Sequence, residues 1–144
     1  MASVFDVAKY ILEKKGPMST WKLQKLCYYS QAWSLAWDET QLFEEEFEAW
    51  VNGPVCRDLF NNHRGMYFIS IENMNIGNSQ NLDADQLATV DAVLDFYGDK
   101  EPHWLRETTH MESPWIKARA GLPDDAPCDN RITKDSMGEY YGSL

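Results

Sequence analysis

The sequence predicts a mainly α, compact multi-helical fold, and three observations predict it. Apolar residues recur at three- and four-residue spacing in several separate segments. Ser, Thr or Asp stands where such segments begin, and Gly where they end. The alternation that a strand needs is confined to two short stretches. With 144 residues the chain suits one domain spanning 1–144, since a compact fold of this size buries roughly 68% of its unfolded surface without metal or disulfide staples.

Taken in order, Val4, Val7, Ala8 and Ile11 follow Ser3 at helical spacing, Leu12 widens the stripe, and Gly16-Pro17 stops it. A second helix begins near Ser19 and runs to about Trp37. Its inward face reads Leu23, Leu26, Cys27, Ser30, Ser34 and Trp37, with Lys22, Lys25 and Tyr29 pointing elsewhere. Periodicity then fades, and Phe47, Ala49 and Val51 alternate as a short strand would. Gly53-Pro54 opens a helix with Pro54 in its first turn and Val55 and Leu59 facing inward, and Gly65 ends it. Tyr67 to Ile71 is aromatic and β-branched enough for a second short strand, and Asn73 to Asn81 is a polar loop.

Asp83 with Gln86 forms a capping box, Leu82 can staple onto Leu87, and Leu87, Val90, Val93, Leu94 and Tyr97 give an inward face that Gly98 terminates. Pro102 starts a short helix through Glu107, broken by Thr108-Thr109. Ser113-Pro114 opens a turn or short helix to Ala120, with Gly121 closing it. Leu122 to Asp129 holds two prolines and reads as loop. Thr133 caps a last helix carrying Met137, Tyr140 and Tyr141. The sum is about six helical segments with room for two short strands.

Composition narrows the function. The net charge is −10, which repels a phosphate backbone, so nucleic acid is not an expected partner. A basic protein matches the charge better, although solubility alone also explains the acid. The start lacks a basic flank and a continuous apolar core, and no stretch approaches eighteen apolar residues, so neither a signal peptide nor a membrane span is expected. Cys27, Cys56 and Cys128 are odd in number and far apart; reduced thiols in a cytoplasmic protein are expected.

The residues offer little chemistry. His63, His103 and His110 have no metal-ligand spacing, and no glycine-rich phosphate cradle or GxSxG elbow occurs. No catalytic, cofactor-binding or metal-binding residue is therefore expected, and no cofactor is implied. His110, between two threonines and Met111-Glu112-Ser113-Pro114-Trp115, suits either a general base in a pocket or a tie from a loop to the core. Cys56 near a helix start is the more reactive thiol. A small-substrate hydrolase or transferase centred on His110 is the enzymatic alternative. Among the aromatics, Trp21, Tyr28, Tyr29 and Trp33 share one helix and cannot all face one stripe, while Trp50 and Trp115 adjoin loop-like motifs. One to three exposed aromatics would serve as anchors for a protein partner.

Three stretches carry a resemblance. They are Lys22-Leu23-Gln24-Lys25-Leu26-Cys27-Tyr28-Tyr29-Ser30-Gln31-Ala32-Trp33, then Glu48-Ala49-Trp50-Val51-Asn52-Gly53-Pro54-Val55, and Thr109-His110-Met111-Glu112-Ser113-Pro114-Trp115 with Ala118-Arg119. Together they resemble the Panacea domain, also called the phage-associated GepA-like or SocA-like domain. The resemblance implies a mostly helical antitoxin without established catalytic activity, which neutralises a cognate toxin by direct protein contact. One member is an adaptor that hands its toxin to a AAA+ protease, which makes such a protease a second implied partner. Lys22, Gln24, Lys25, Tyr28 and Gln31 fall on the first motif, Trp50, Gly53 and Pro54 on the second, and His110, Pro114 and Trp115 on the third. The resemblance leaves the toxin-facing surface and the oligomeric state open.

Overall fold

A computed structural model describes residues 2–144. Among them are seven α-helices and five short strands, the strands forming two small antiparallel sheets. Helix α1 (Val4–Lys15) is capped by a reciprocal Ser3–Asp6 box and ends at Gly16, whose φ of 81° suits glycine. Helix α2 (Thr20–Asp38) starts on the Ser19 side chain and stops at Glu39, which adopts the left-handed conformation.

Helix α2 is the axis of the molecule. It packs against α1, α4 (Ala84–Tyr97), α5 (Pro102–His110), α7 (Lys134–Gly142) and strands β1 (Met18–Ser19) and β3 (Gly53–Cys56). A helix surrounded in this way has no solvent face along its middle. That is why Lys25 and Tyr29, expected to point away from the core, are buried, while Trp37, expected inside, is 52% exposed at the helix end.

Strand β2 (Phe47–Trp50) pairs with β3 and also with β5 (Arg131–Ile132), giving the order β3-β2-β5. The β2–β3 register sets Ala49 opposite Pro54 and Trp50 opposite Gly53, so Val51-Asn52 is the turn. Pro54 is therefore in an edge strand, where its missing N–H costs no ladder bond, and not in a helix. Helix α3 (Arg57–His63) starts three residues after it. The other sheet pairs β1 with β4 (Phe68–Ile69). Strands of two residues have no alternation to read, which explains why β1 and β5 leave no trace in the sequence pattern.

The Asp83–Gln86 box opens α4 as expected, and Thr133 caps α7. Helix α5 runs through both threonines to His110, and the Thr109 hydroxyl, donating to the Arg106 carbonyl, finds its acceptor within the helix. Helix α6 (Ser113–Ala118) has Glu112 at its N-cap position, one residue earlier than expected, with no side-chain capping bond. The buried core joins Val4, Val7, Ile11, Leu23, Leu26, Tyr28, Tyr29, Phe43, Phe47, Leu59, Val90, Leu105, Trp115 and Tyr141. No helix among the described residues is long and apolar enough to cross a membrane.

Candidate functional site

The three sequence motifs meet at the β2–β3 hairpin. From α2, Gln24 grips the end of the hairpin with its amide: Cys56 N–H donates to Oε1 (2.8 Å), and Nε2 donates to the Cys56 carbonyl (3.2 Å). Two turns later Gln31 does the same for the incoming loop, accepting from Leu42 N–H (2.6 Å) and donating to the Phe43 carbonyl (2.7 Å). Both glutamines are fully buried. Each satisfies a buried backbone amide and carbonyl, where an unmet bond is costly. Tyr28 is buried between Phe47 and Tyr141, edge-on to both rings. Lys22 is half-buried, and burial lowers its pKa.

From the other side, α6 holds the same hairpin. Trp115 Nε1 donates to the Trp50 carbonyl (2.9 Å), and Arg119 Nη1 donates to the Ala49 carbonyl (2.8 Å). The Arg119 Nη2 also bonds the Pro123 (2.7 Å) and Ala126 carbonyls, so one buried guanidinium fixes both β2 and the proline-bearing loop. Its plane lies over the Trp115 ring, 4.7 Å from the centroid. The His110 ring stacks on Trp115 at 4.0 Å. Pro114 is buried in the first turn of α6. Trp50 is half-buried; its Nε1 donates to Glu48, and Arg57, which pairs with the same carboxylate, lies over its ring.

Lys25 departs furthest from this use of hydrogen bonds. It is 2% exposed, and its Nζ has no hydrogen-bond partner. The ammonium lies 5.4 Å from the Trp21 ring centroid. Burial, with Arg106 adding repulsion, pulls its pKa down to about 7. Gly53 makes room for it: φ is +112°, and a Cβ there would run into Lys25 Cε. Trp21, Lys25, Asn52, Pro102, His103 and Arg106 line a pocket of about 180 Å³ at this point. Arg106 Nε donates to Asn52 Oδ1 (3.2 Å), tying α5 to the hairpin turn. The sequence motifs name Lys25 and Gly53 but not the α5 wall. Nothing in a single sequence says that Arg106 faces another cation.

The thiols are not poised for attack. Cys27 and Cys56 are buried, and burial raises both pKa values, that of Cys56 to about 12. The imidazole associated with the Cys56 segment is that of His63, which shares the Gln24 amide (3.0 Å). His110 instead belongs to the Trp115 stack, and burial followed by Arg106 lowers its pKa. Among the described residues no group of three or more His, Cys, Asp or Glu could hold a metal ion.

A connected run of rings crosses α2, α4 and α5. Trp37 packs on Trp33, whose Nε1 donates to Tyr97 OH (3.1 Å); Tyr97 touches both Phe96 and Trp104. Trp37, Phe96 and Trp104 are 52%, 60% and 37% exposed. Lys100 lies over Phe96 and Trp104, at 5.4 and 4.8 Å.

Residues 23–116 match the antitoxin SocA-like Panacea domain family. The match covers the hairpin and the three motifs except Lys22 at one end and Ala118-Arg119 at the other, and the chain belongs to that family. No curated protein and no solved structure matches the chain.

Proposed function

We propose that this protein is an antitoxin that neutralises a cognate toxin by direct protein–protein contact. The observation that carries the reading is the family match over residues 23–116. The geometry supports a binding role over a catalytic one. Gln24, Gln31, Trp115 and Arg119 are spent on backbone carbonyls and amides of the scaffold. Burial raises the pKa of the Cys56 thiol, the more reactive nucleophile in the sequence, to about 12.

The exposed rings of Trp37, Phe96 and Trp104 are the anchors we assign to the toxin-facing surface. Aromatic side chains of this kind supply large contact area at low entropic cost and dominate interface energetics. The net charge of −10 favours encounter with a basic toxin.

Co-expression tests the reading. The product of the neighbouring gene, expressed alone, should arrest growth, and this chain should restore it. The Phe96→Ala, Trp104→Ala double variant should restore it less well at equal abundance. Unrelieved arrest with the wild-type chain present at excess would remove the proposal. Following toxin abundance in the same cultures separates stoichiometric inhibition, which leaves toxin levels intact, from delivery to a protease, which lowers them.

A further inference from the structure

Four buried side-chain atoms among the described residues lack a hydrogen-bond partner: Lys25 Nζ, Asn62 Oδ1, His110 Nε2 and Arg119 Nε. Arg119 donates through both other nitrogens, and a neutral imidazole can leave one nitrogen unpaired at small cost. Lys25 is different, because its amine meets no hydrogen-bond acceptor at all and has only the Trp21 ring beside it. Burying an ammonium without a partner is among the most expensive things a fold can do. An aliphatic side chain of similar length would fill the same space, so packing alone does not call for an amine here.

The surroundings of Lys25 point one way. None of the six lining residues of its pocket is acidic, whereas Lys25, Arg106 and His103 are basic. The titratable groups that the structure ties to Lys25 are Arg106 and His103 of α5, which line the same pocket, and His63 of α3, whose pKa Lys25 lowers. Glu107 pairs with Arg106 (3.2 Å) and His103 (3.6 Å) rather than with Lys25. The excess of cations therefore stands within a protein whose net charge is −10. At about 180 Å³ the pocket is below the ~300–1,000 Å³ of sites that enclose whole small molecules, so it suits a single small group. Trp21 and Pro102 give it apolar walls.

We propose that this pocket binds a carboxylate, with one oxygen on Lys25 Nζ, the other on the guanidinium of Arg106, and the attached carbon chain against Trp21 and Pro102. A carboxylate supplies the one charge that Lys25 lacks, and charge-assisted bonds to it are the strong kind. Gly53 is part of the site, since any side chain there would displace the Lys25 stem. The carboxylate can be a free short-chain acid or an acidic group on a polypeptide, and the chemistry in the pocket is the same. The assignment stands apart from the antitoxin reading: a pocket of this kind binds propionate whether or not the chain neutralises a toxin.

The test is a titration of the full ¹⁵N-labelled chain, watching the Trp21 indole N–H, assigned with a Trp21→Phe variant. Propionate should shift this signal saturably, and inorganic phosphate and chloride should not at equal ionic strength. Lys25→Met should weaken propionate at least tenfold while the rest of the spectrum stays native, and the half-exposed Arg106→Gln should weaken it by a smaller factor. Because the ammonium form is required and Lys25 loses its proton near pH 7, affinity should fall roughly tenfold per pH unit above that. Parallel titrations with an end-blocked peptide bearing one internal Glu, and with a neutral peptide ending in a free carboxylate, identify the source by which carboxylate binds tightest. Absence of saturable binding by all three carboxylates, unchanged binding in Lys25→Met, or tighter binding of phosphate than of propionate overturns the assignment.

Discussion

Replacing Lys25 by methionine should make the protein more stable, by an amount that depends on pH. In the unfolded chain the Lys25 amine has its ordinary pKa of 10.5, and burial in the fold lowers it to about 7. Between these two values the unfolded state holds a proton that the native state does not, so lowering the pH favours unfolding. With each tenfold change in a proton equilibrium worth ~1.4 kcal/mol, the native state gives up on the order of 4–5 kcal/mol at or below pH 7 and about 2 kcal/mol at pH 9. Methionine has no such linkage and fits the same slot with little loss beyond the contact over Trp21. Urea unfolding of wild type and Lys25→Met, followed by circular dichroism at pH 7, 8 and 9, measures the difference. The raised pKa values of Cys27, Cys56 and the buried tyrosines act equally in both proteins and cancel. The variant should be the more stable throughout, with its advantage shrinking by about 2 kcal/mol from pH 7 to pH 9. An advantage that does not change with pH, or a variant less stable than wild type, would refute the reasoning.

Other consequences of the structure can be measured in the same way. Gln24→Leu and Gln31→Leu each strand a buried backbone amide and carbonyl, and each should cost about 2–4 kcal/mol in denaturant unfolding. Glu112 accepts from the hydroxyls of Tyr29 (2.8 Å) and Tyr141 (2.7 Å), and burial raises its pKa above 4.5. A raised carboxyl pKa means that stability is lost as pH climbs from the unfolded value through the folded one. Glu112→Gln should therefore raise the melting temperature at pH 7 more than at pH 4, and an equal change at both would count against a strained carboxylate. Arg119→Met removes the bonds to Ala49, Pro123 and Ala126. It should speed hydrogen exchange and proteolysis in residues 121–130 well before α1 and α4 respond, and uniform acceleration across the chain would contradict that local role.

How far the sequence could be read differs sharply between the periphery and the axis. The Ser3, Ser19, Asp83 and Thr133 caps were legible because a cap depends on residues within one turn of itself. Helix α2 was legible as a helix, yet its burial was not. Stripe reasoning assumes one wet face, and α2 is enclosed by other elements on most sides, which places Lys25, Tyr29 and Gln31 inside. Pro54 shows a second limit. Gly-Pro reads equally as a helix start or a hairpin edge, and only pairing with Ala49, five residues earlier, decides between them.

The motifs named residues of the hairpin and of its clamps, but Gly53-Pro54 was read as a helix start and not as the edge of a hairpin. The pocket escaped because its walls come from three distant places, Trp21 with Lys25, Asn52, and Pro102 to Arg106. The exposed aromatic run was missed for a related reason. Trp50 and Trp115 stand in the motifs, but Trp115 is 1% exposed and serves the scaffold. Phe96 and Trp104 lie in α4 and α5 outside those three stretches.

Direct binding of a protein partner is the proposed mode of action of this chain. Isothermal calorimetry of the purified chain against the product of the neighbouring gene tests that most directly. A saturable, stoichiometric heat of binding is expected, weakened at least tenfold by Phe96→Ala with Trp104→Ala. The absence of any complex between two folded proteins at micromolar concentration would contradict it.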